Sequence, residues 1–222
     1  MRKNFSGAVI WDMDGVLADT GPFHFEAWKK IFKELKIPFT KEDFRKTFGM
    51  RNDQILKKIL GKNLSSEEVS KIGDKKEIYF REGAKGKLKP TRGLIKILSS
   101  LKKGGFKMAI ASSGPPENVK FVVEELGIRS YFEVLLSGED ATCSKPHPGI
   151  FLKAAERLGV SPKICIVVED AVVGIEAAKR AGMKAIALCG THPREAFLEA
   201  DLVVESLEEV KVEDFEKLLE NR

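Results

Sequence analysis

The sequence predicts an α/β fold, a doubly wound parallel sheet of Rossmann-like type carrying an inserted all-helical domain. Three observations carry this reading. From about residue 90 onward, short apolar runs alternate with amphipathic helical stretches; the runs are apolar at nearly every position; and residues 20–88 show helical periodicity alone. Strands buried on both faces need such continuous apolar runs, and a parallel sheet under helices buries both faces.

The elements follow in chain order. AVIWD, residues 8–12, is the first strand, and it ends on an acid. A helix then begins after Pro22, a residue tolerated in a first turn, with Phe25, Trp28, Phe32 and Leu35 expected on one face. Further strands are expected at KMAIAS (107–112), VLLS (134–137), ICIVVED (164–170), KAIALC (184–189) and DLVV (201–204). Between them, Val119, Val122, Val123 and Leu126 keep the i, i+3, i+4, i+7 spacing of a helix, as do Phe151, Ala154, Ala155 and Leu158. The helical insertion interrupts the strand–helix rhythm, so it is expected to form a cap over residues 20–88. The α/β core takes 1–19 and 89–222, with hinges near Thr20–Pro22 and Lys87–Thr91. No internal repeat or low-complexity tract appears.

Composition excludes several classes. The 222 residues are 43% hydrophobic and 32% charged, which describes a globular chain and not a disordered one. No apolar run approaches the roughly 18 residues of a membrane span. The opening MRKNFSG is basic but passes into a strand-length run and not a secretory signal, so a cytoplasmic location is expected. Three cysteines, an odd number without metal-type pairing, suit a reducing compartment. Cys165 and Cys189 fall in strand-like runs as small core residues. Cys143 lies near Lys145, but no histidine stands beside it to make it a nucleophile.

The net charge of +5 is unevenly placed. Residues 20–88 hold 17 Lys and Arg against 10 Asp and Glu, a net +7, leaving −2 for the rest. Solvated helix faces explain this, and so does a basic lobe that draws small anions into the cleft. The lysines form no stripe with interleaved aromatics, so a nucleic-acid partner is not expected.

In open α/β sheets ligands bind beyond the carboxyl ends of the strands. Four of these ends carry polar chemistry: Asp12-Met13-Asp14-Gly15, Ser112-Ser113-Gly114, Ser144-Lys145-Pro146 in a loop after the third strand, and Glu169-Asp170. Taken singly, each has an ordinary reading, such as a serine or aspartate capping the next helix. Gathered at one sheet edge, they suit phosphoryl transfer through a carboxylate. Asp12 can attack phosphorus, and a divalent cation with a nearby lysine can offset the repulsion between carboxylate and phosphate. The metal candidates are Asp12, Asp14, Glu169 and Asp170, hard oxygen donors that suit Mg²⁺. Asp14, two residues from the nucleophile, can protonate the leaving oxygen and later take a proton from water, which calls for an environment unlike that of Asp12. Gly15 allows a sharp turn beside the phosphate, and Ser112 with the amides around it can hold phosphoryl oxygens. Asp19, before Thr20, reads as a hinge or cap residue.

The motifs DMDGVLADT, IASSG, SKPHPGIF and VVEDAVVGIEAAKRAG resemble, in order and spacing, the four signatures of the haloacid dehalogenase superfamily, in the branch with a helical cap after the first strand. The resemblance spans essentially the whole chain. It implies Asp12 as nucleophile, Asp14 as acid/base, Ser112 and Lys145 as phosphate and nucleophile partners, Glu169 and Asp170 at the metal end, and Mg²⁺ as cofactor. Dehalogenases of that superfamily lack the second aspartate, so Asp14 favours phosphate chemistry.

FHFEAWK, residues 23–29, is similar to the cap of the β-phosphoglucomutase branch. By that likeness His24, Trp28 and Arg81 are substrate-binding candidates, joined by Ser113, Lys145 and Arg51. The chain departs from the mutases at Pro115-Pro116, where they have an asparagine, and at Arg51-Asn52, near their cap arginine. The expected activity is therefore a monomeric Mg²⁺-dependent phosphatase of small phosphorylated metabolites, with sugar phosphates favoured. A β-phosphoglucomutase is the alternative, and a non-catalytic binding or regulatory protein is the reading of another class.

Overall fold

The computed structural model describes residues 7–61 and 64–220, so all of the basic N-terminal stretch except Gly7 lies outside the described residues. Six strands form one sheet: β1 (Ala8–Trp11), β2 (Lys107–Ala111), β3 (Val134–Leu136), β4 (Cys165–Glu169), β5 (Lys184–Leu188) and β6 (Leu202–Val204). Their order is β3-β2-β1-β4-β5-β6, and all pairings are parallel. Each expected strand is present. Because the order reverses direction at β1, its carboxyl end borders the crevice where such sheets place ligands.

The two sheet faces differ in residue size. Val9, Trp11, Met108, Ile110, Ile166, Val168, Ile186 and Leu188 face a core shared with α5 (Leu94–Lys103), α6 (Pro116–Glu125) and α9 (Val212–Glu220). The opposite face shows Ala8, Ala109, Ala111, Ala185 and Ala187 to α7 (Gly149–Leu158) and α8 (Val172–Arg180), which answer with Ala154, Ala155, Ala177 and Ala178. Alternation along each strand divides the side chains between the two faces, and the second also carries Ile10, Leu136 and Val167 among its alanines. Small side chains on both partners let these helices approach closely, which brings the start of α8 against the end of β4.

Between β1 and β2 lie α1 (Gly21–Glu34), α2 (Lys41–Arg45), α3 (Asn52–Leu60) and α4 (Ser66–Ala84). Their own core is Trp28, Ile31, Phe32, Ile55 and Leu56, flanked by Val69, Ile72 and Tyr79. The buried stripe of α1 is His24, Ala27, Trp28, Ile31 and Phe32, which corrects the expected one. Leu35 follows the helix as its C-cap and is exposed, while Phe25 turns toward Phe39 and Phe44. Capping boxes at Thr40 and Ser65 start α2 and α4. This helical unit is also joined to the sheet, since Phe80 and Ala84 of α4 belong to the main core.

Candidate active site

β1 and β4 run side by side and both end on acids. The Asp12 amide donates to the Val168 carbonyl at 2.9 Å, which continues the ladder one residue past β1 and holds the loop against β4. Asp12, Glu169 and Asp170 are all buried, and one oxygen of each lies within 4.8 Å of the others. Lys145, from the loop before α7, reaches between them, donating to Asp12 Oδ1 at 2.5 Å and Glu169 Oε1 at 2.7 Å. The other Glu169 oxygen accepts the Asp170 and Ala171 amides, both at 2.8 Å. The Thr191 hydroxyl donates to Asp170 Oδ2.

Two glycines make room for these acids. At Gly15 φ is +81°, and a Cβ there would stand 2.0 Å from Asp170 Oδ2. A Cβ at Gly174, in the first turn of α8, would stand 1.9 Å from Glu169 Oε1. A side chain at either position collides with a carboxylate that has little room to retreat.

Three buried carboxylates share one buried lysine, and the titration behaviour reflects that shortage of positive charge. Burial pushes Asp12 up to about 7; Lys145 opposes the shift, while Glu169 and Asp14 add to it. Burial also drives Asp170 well above the ordinary range, helped by Glu169 and Asp12. Burial disfavours the Lys145 ammonium, but Asp12 and Glu169 more than reverse this and raise it. Such a cluster of hard oxygen donors fits a divalent cation, which would relieve the crowding.

Asp14 sits apart. Its Oδ1 accepts from the Thr20 hydroxyl at 2.6 Å and lies 3.2 Å from His24 Nε2. On the far side of the ring, Lys76 Nζ is 2.8 Å from His24 Nδ1. An ammonium only donates, so Nδ1 accepts and the ring proton falls on Nε2, facing Asp14. Phe80 stacks on the imidazole, with centroids 3.8 Å apart. Burial would raise Asp14, but His24, Thr20 and Lys76 outweigh it and hold the carboxyl below its ordinary value. The two aspartates thus stand in different environments, and in this arrangement Asp14 is the ionised acceptor. Donating a proton requires it to acquire one and to loosen its contacts with Thr20 and His24.

The other candidates separate. The Asp14 carboxylate is not part of the group formed by Asp12, Glu169 and Asp170; it meets Thr20 and His24 instead. Ser112 is buried at the end of β2, where its hydroxyl accepts the Gly114 amide. Ser113, His24, Trp28 and Arg51 line a cleft of about 540 Å³ between the helical unit and the sheet edge. Arg81 does not line it; its guanidinium donates to Asn118 Oδ1 at 2.7 Å, joining α4 to α6. Asp19 is exposed, and Thr20, the N-cap residue of α1, gives its hydroxyl to Asp14 and caps nothing. Asp170 likewise caps no helix.

The basic-lobe expectation also changes. Among the described residues, Arg51 and Lys76 are the only lysines or arginines of the segment that line this cleft. Sequence reasoning missed Thr191, although it follows a strand, β5, as the other groups do. Lys76, Glu77 and Asn118 carried no local signal, because they meet the site only through the packing of α4 on α1, α3 and α6.

Buried acids around a lysine, beyond the carboxyl edge of a parallel sheet, define an α/β enzyme built to handle an anionic group together with a cation. Residues 9–188 match the family model for haloacid dehalogenase-like hydrolases, and the chain belongs to that family. It is 34% identical to a β-phosphoglucomutase of Bacillus subtilis over 214 residues, covering 93% of this chain and 92% of that one. It is also 34% identical to a phosphorylated carbohydrates phosphatase of Thermotoga maritima over 202 residues, covering 88% and 92%. The crystal structure of a β-phosphoglucomutase from Clostridium difficile superposes with a TM-score of 0.88 at 28% identity, covering 97% of this chain and 98% of that one. Among the described residues, no helix is long and apolar enough to cross a membrane.

Proposed function

We propose that the chain is a Mg²⁺-dependent phosphatase of small phosphorylated metabolites, with sugar phosphates as the favoured class, working through an aspartyl-phosphate on Asp12. The observation that carries this reading is Lys145 bridging Asp12 and Glu169 in a buried cluster otherwise short of positive charge. A Mg²⁺ ion held by Asp12, Glu169 and Asp170 would offset the charge of the incoming phosphate. The relatives named for phosphorylated carbohydrates support the substrate class.

In the first step a carboxylate oxygen of Asp12 attacks phosphorus and the bond to the leaving oxygen breaks. That oxygen takes a proton from Asp14. In the second step water attacks phosphorus and gives its proton to Asp14, and the bond to Asp12 breaks to release phosphate. Lys145 holds the Asp12 carboxylate in place and balances its charge before the attack and after release of phosphate.

The mutase reading has one specific observation in its favour. The chain from Asp14 through His24 to Lys76 crosses from the sheet edge into the helical unit, so it can couple proton transfer to closure over a sugar. A mutase must return the phosphoryl group to a sugar before water removes it, whereas a phosphatase admits water. Incubation with β-glucose 1-phosphate and a trace of glucose 1,6-bisphosphate separates them: free phosphate is expected, and glucose 6-phosphate as the main product would favour the mutase. Asp12→Asn or chelation of the metal is expected to lower turnover by at least about 10³-fold.

A further inference from the structure

Beyond the acidic cluster, the cleft is lined by two cations, Arg51 and Lys76, and each already has a carboxylate partner. Arg51 Nε lies 3.4 Å from Asp53 Oδ1, and Lys76 Nζ lies 3.0 Å from Glu77 Oε1. The same walls carry three more acids, Asp14 and the exposed Asp74 and Glu139. Counted over the described residues, the charge facing a bound leaving group is thus net negative, although the helical segment as a whole is strongly basic.

Glu77 dominates this wall because it is buried and held on several sides. Asn52 Nδ2 donates to Oε1 at 2.9 Å, and Asn118 Nδ2 donates to Oε2 at 2.7 Å. Burial would raise its carboxyl, but Lys76, His24 and the two amides hold it below its ordinary value. It is therefore a fixed anion. A carboxylate offers about four acceptor positions and three are taken here, so one remains for a hydroxyl or an ammonium.

We propose that this cleft selects monophosphates whose leaving group is an uncharged polyol or bears an amine, and rejects substrates with a second anionic group, with Glu77 and Asp53 as the specificity-determining residues. The inference rests on the phosphatase reading above and narrows its substrate class. A second phosphate or a carboxylate in the cleft would have to take Arg51 or Lys76 from its partner, leaving Asp53 or Glu77 unpaired beside the new anion. Stranding the buried Glu77 is costly, and at either acid like charges at close range repel. A neutral hydroxylated group incurs neither cost, and an ammonium gains from the surplus of acids.

The test measures phosphate release by the full chain with Mg²⁺. Glucose 6-phosphate and glucosamine 6-phosphate are compared with fructose 1,6-bisphosphate and 6-phosphogluconate, with p-nitrophenyl phosphate as a generic control. The first pair is expected to show kcat/KM at least about tenfold above the second, on the scale of one unfavourable charge contact. Glu77→Gln and Asp53→Asn are each expected to narrow that ratio by about threefold or more. Asp53 is exposed, so its variant keeps the question open to measurement even if loss of the buried Glu77 contacts unfolds the helical unit. Anionic substrates handled as well as neutral ones, or a ratio unmoved in Asp53→Asn, would overturn the proposal. If p-nitrophenyl phosphate and every metabolite resist hydrolysis, the phosphatase reading fails by itself. Charge selection is then read from calorimetric Kd values of the same compounds on Asp12→Asn with Mg²⁺. A tenfold preference there sustains the inference, and equal affinities overturn it.

Discussion

Glu169 is fixed from three directions: Lys145 on one oxygen, two backbone amides on the other, and the close approach of Gly174. Adding one methyl group at Gly174 must therefore move either the carboxylate or the first turn of α8. Gly174→Ala is expected to cost about 1–3 kcal/mol of stability, as overpacking a tight site does. It is also expected to weaken Mg²⁺ binding about tenfold or more, the scale seen when a ligand's supporting contacts are disturbed. Chemical denaturation and metal titration by calorimetry measure the two effects separately. At this scale the sequence was most legible where a residue directly follows a strand, because the sheet edge fixes where such a residue must lie. Asp12, Glu169 and Asp170 converge for that reason, and Lys145 reaches them from the long loop between β3 and α7. Thr191 follows the same rule from β5 but went unread, since a lone threonine in a loop carries no motif. The paired state of Arg51 and Lys76 cannot be read from residue types at all; it depends on Asp53 being adjacent and on the rotation of α4 that aims Glu77 inward.

Among the helices, α4 and α6 are joined by the ring contact of Phe80 with Phe121 and by the polar contacts of Asn118. Asn118 donates to Glu77 and accepts from Arg81, so a residue two places beyond the expected Pro115-Pro116 ties the helical unit to the sheet domain. Glu77 is held below its ordinary carboxyl value of 4.5, so the folded state favours its ionised form. Its contribution to stability is therefore complete above about pH 4.5 and is lost as pH falls through the lower, folded value. Acid unfolding monitored by the fluorescence of Trp11 and Trp28 is expected to show this loss in the wild type. In Glu77→Gln, which cannot titrate there, the slope of stability against pH over that window should be shallower. Helix positions were legible from periodicity, but the buried stripe of α1 was misplaced. The aromatic count drew attention to Phe25, while the small Ala27 and the polar His24 in fact face inward. A polar residue on a buried face is invisible to a hydrophobic pattern, and here it is the residue that meets Asp14.

Across the whole molecule, charge and fold part company. The topology was readable because nearly continuous apolar strands separated by amphipathic helices leave few arrangements open. The net +7 of residues 20–88 suggested a cleft that gathers anions, yet among the described residues only Arg51 and Lys76 of that segment line it. Long-range steering by that surplus should consequently be weak. Between ~10 mM and ~150 mM ionic strength, kcat/KM for a sugar monophosphate is expected to fall by less than about threefold, measured by initial-rate phosphate release.

Covalent chemistry at Asp12 is the claim from which the remaining functional proposals descend, and beryllium fluoride tests it most directly. Soaked into crystals with Mg²⁺, it is expected to give a trifluoroberyllate bonded to an Asp12 carboxylate oxygen, with Lys145 still within hydrogen-bond reach. Diffraction showing the adduct on another residue, or Asp12 unmodified at saturating reagent, would contradict it.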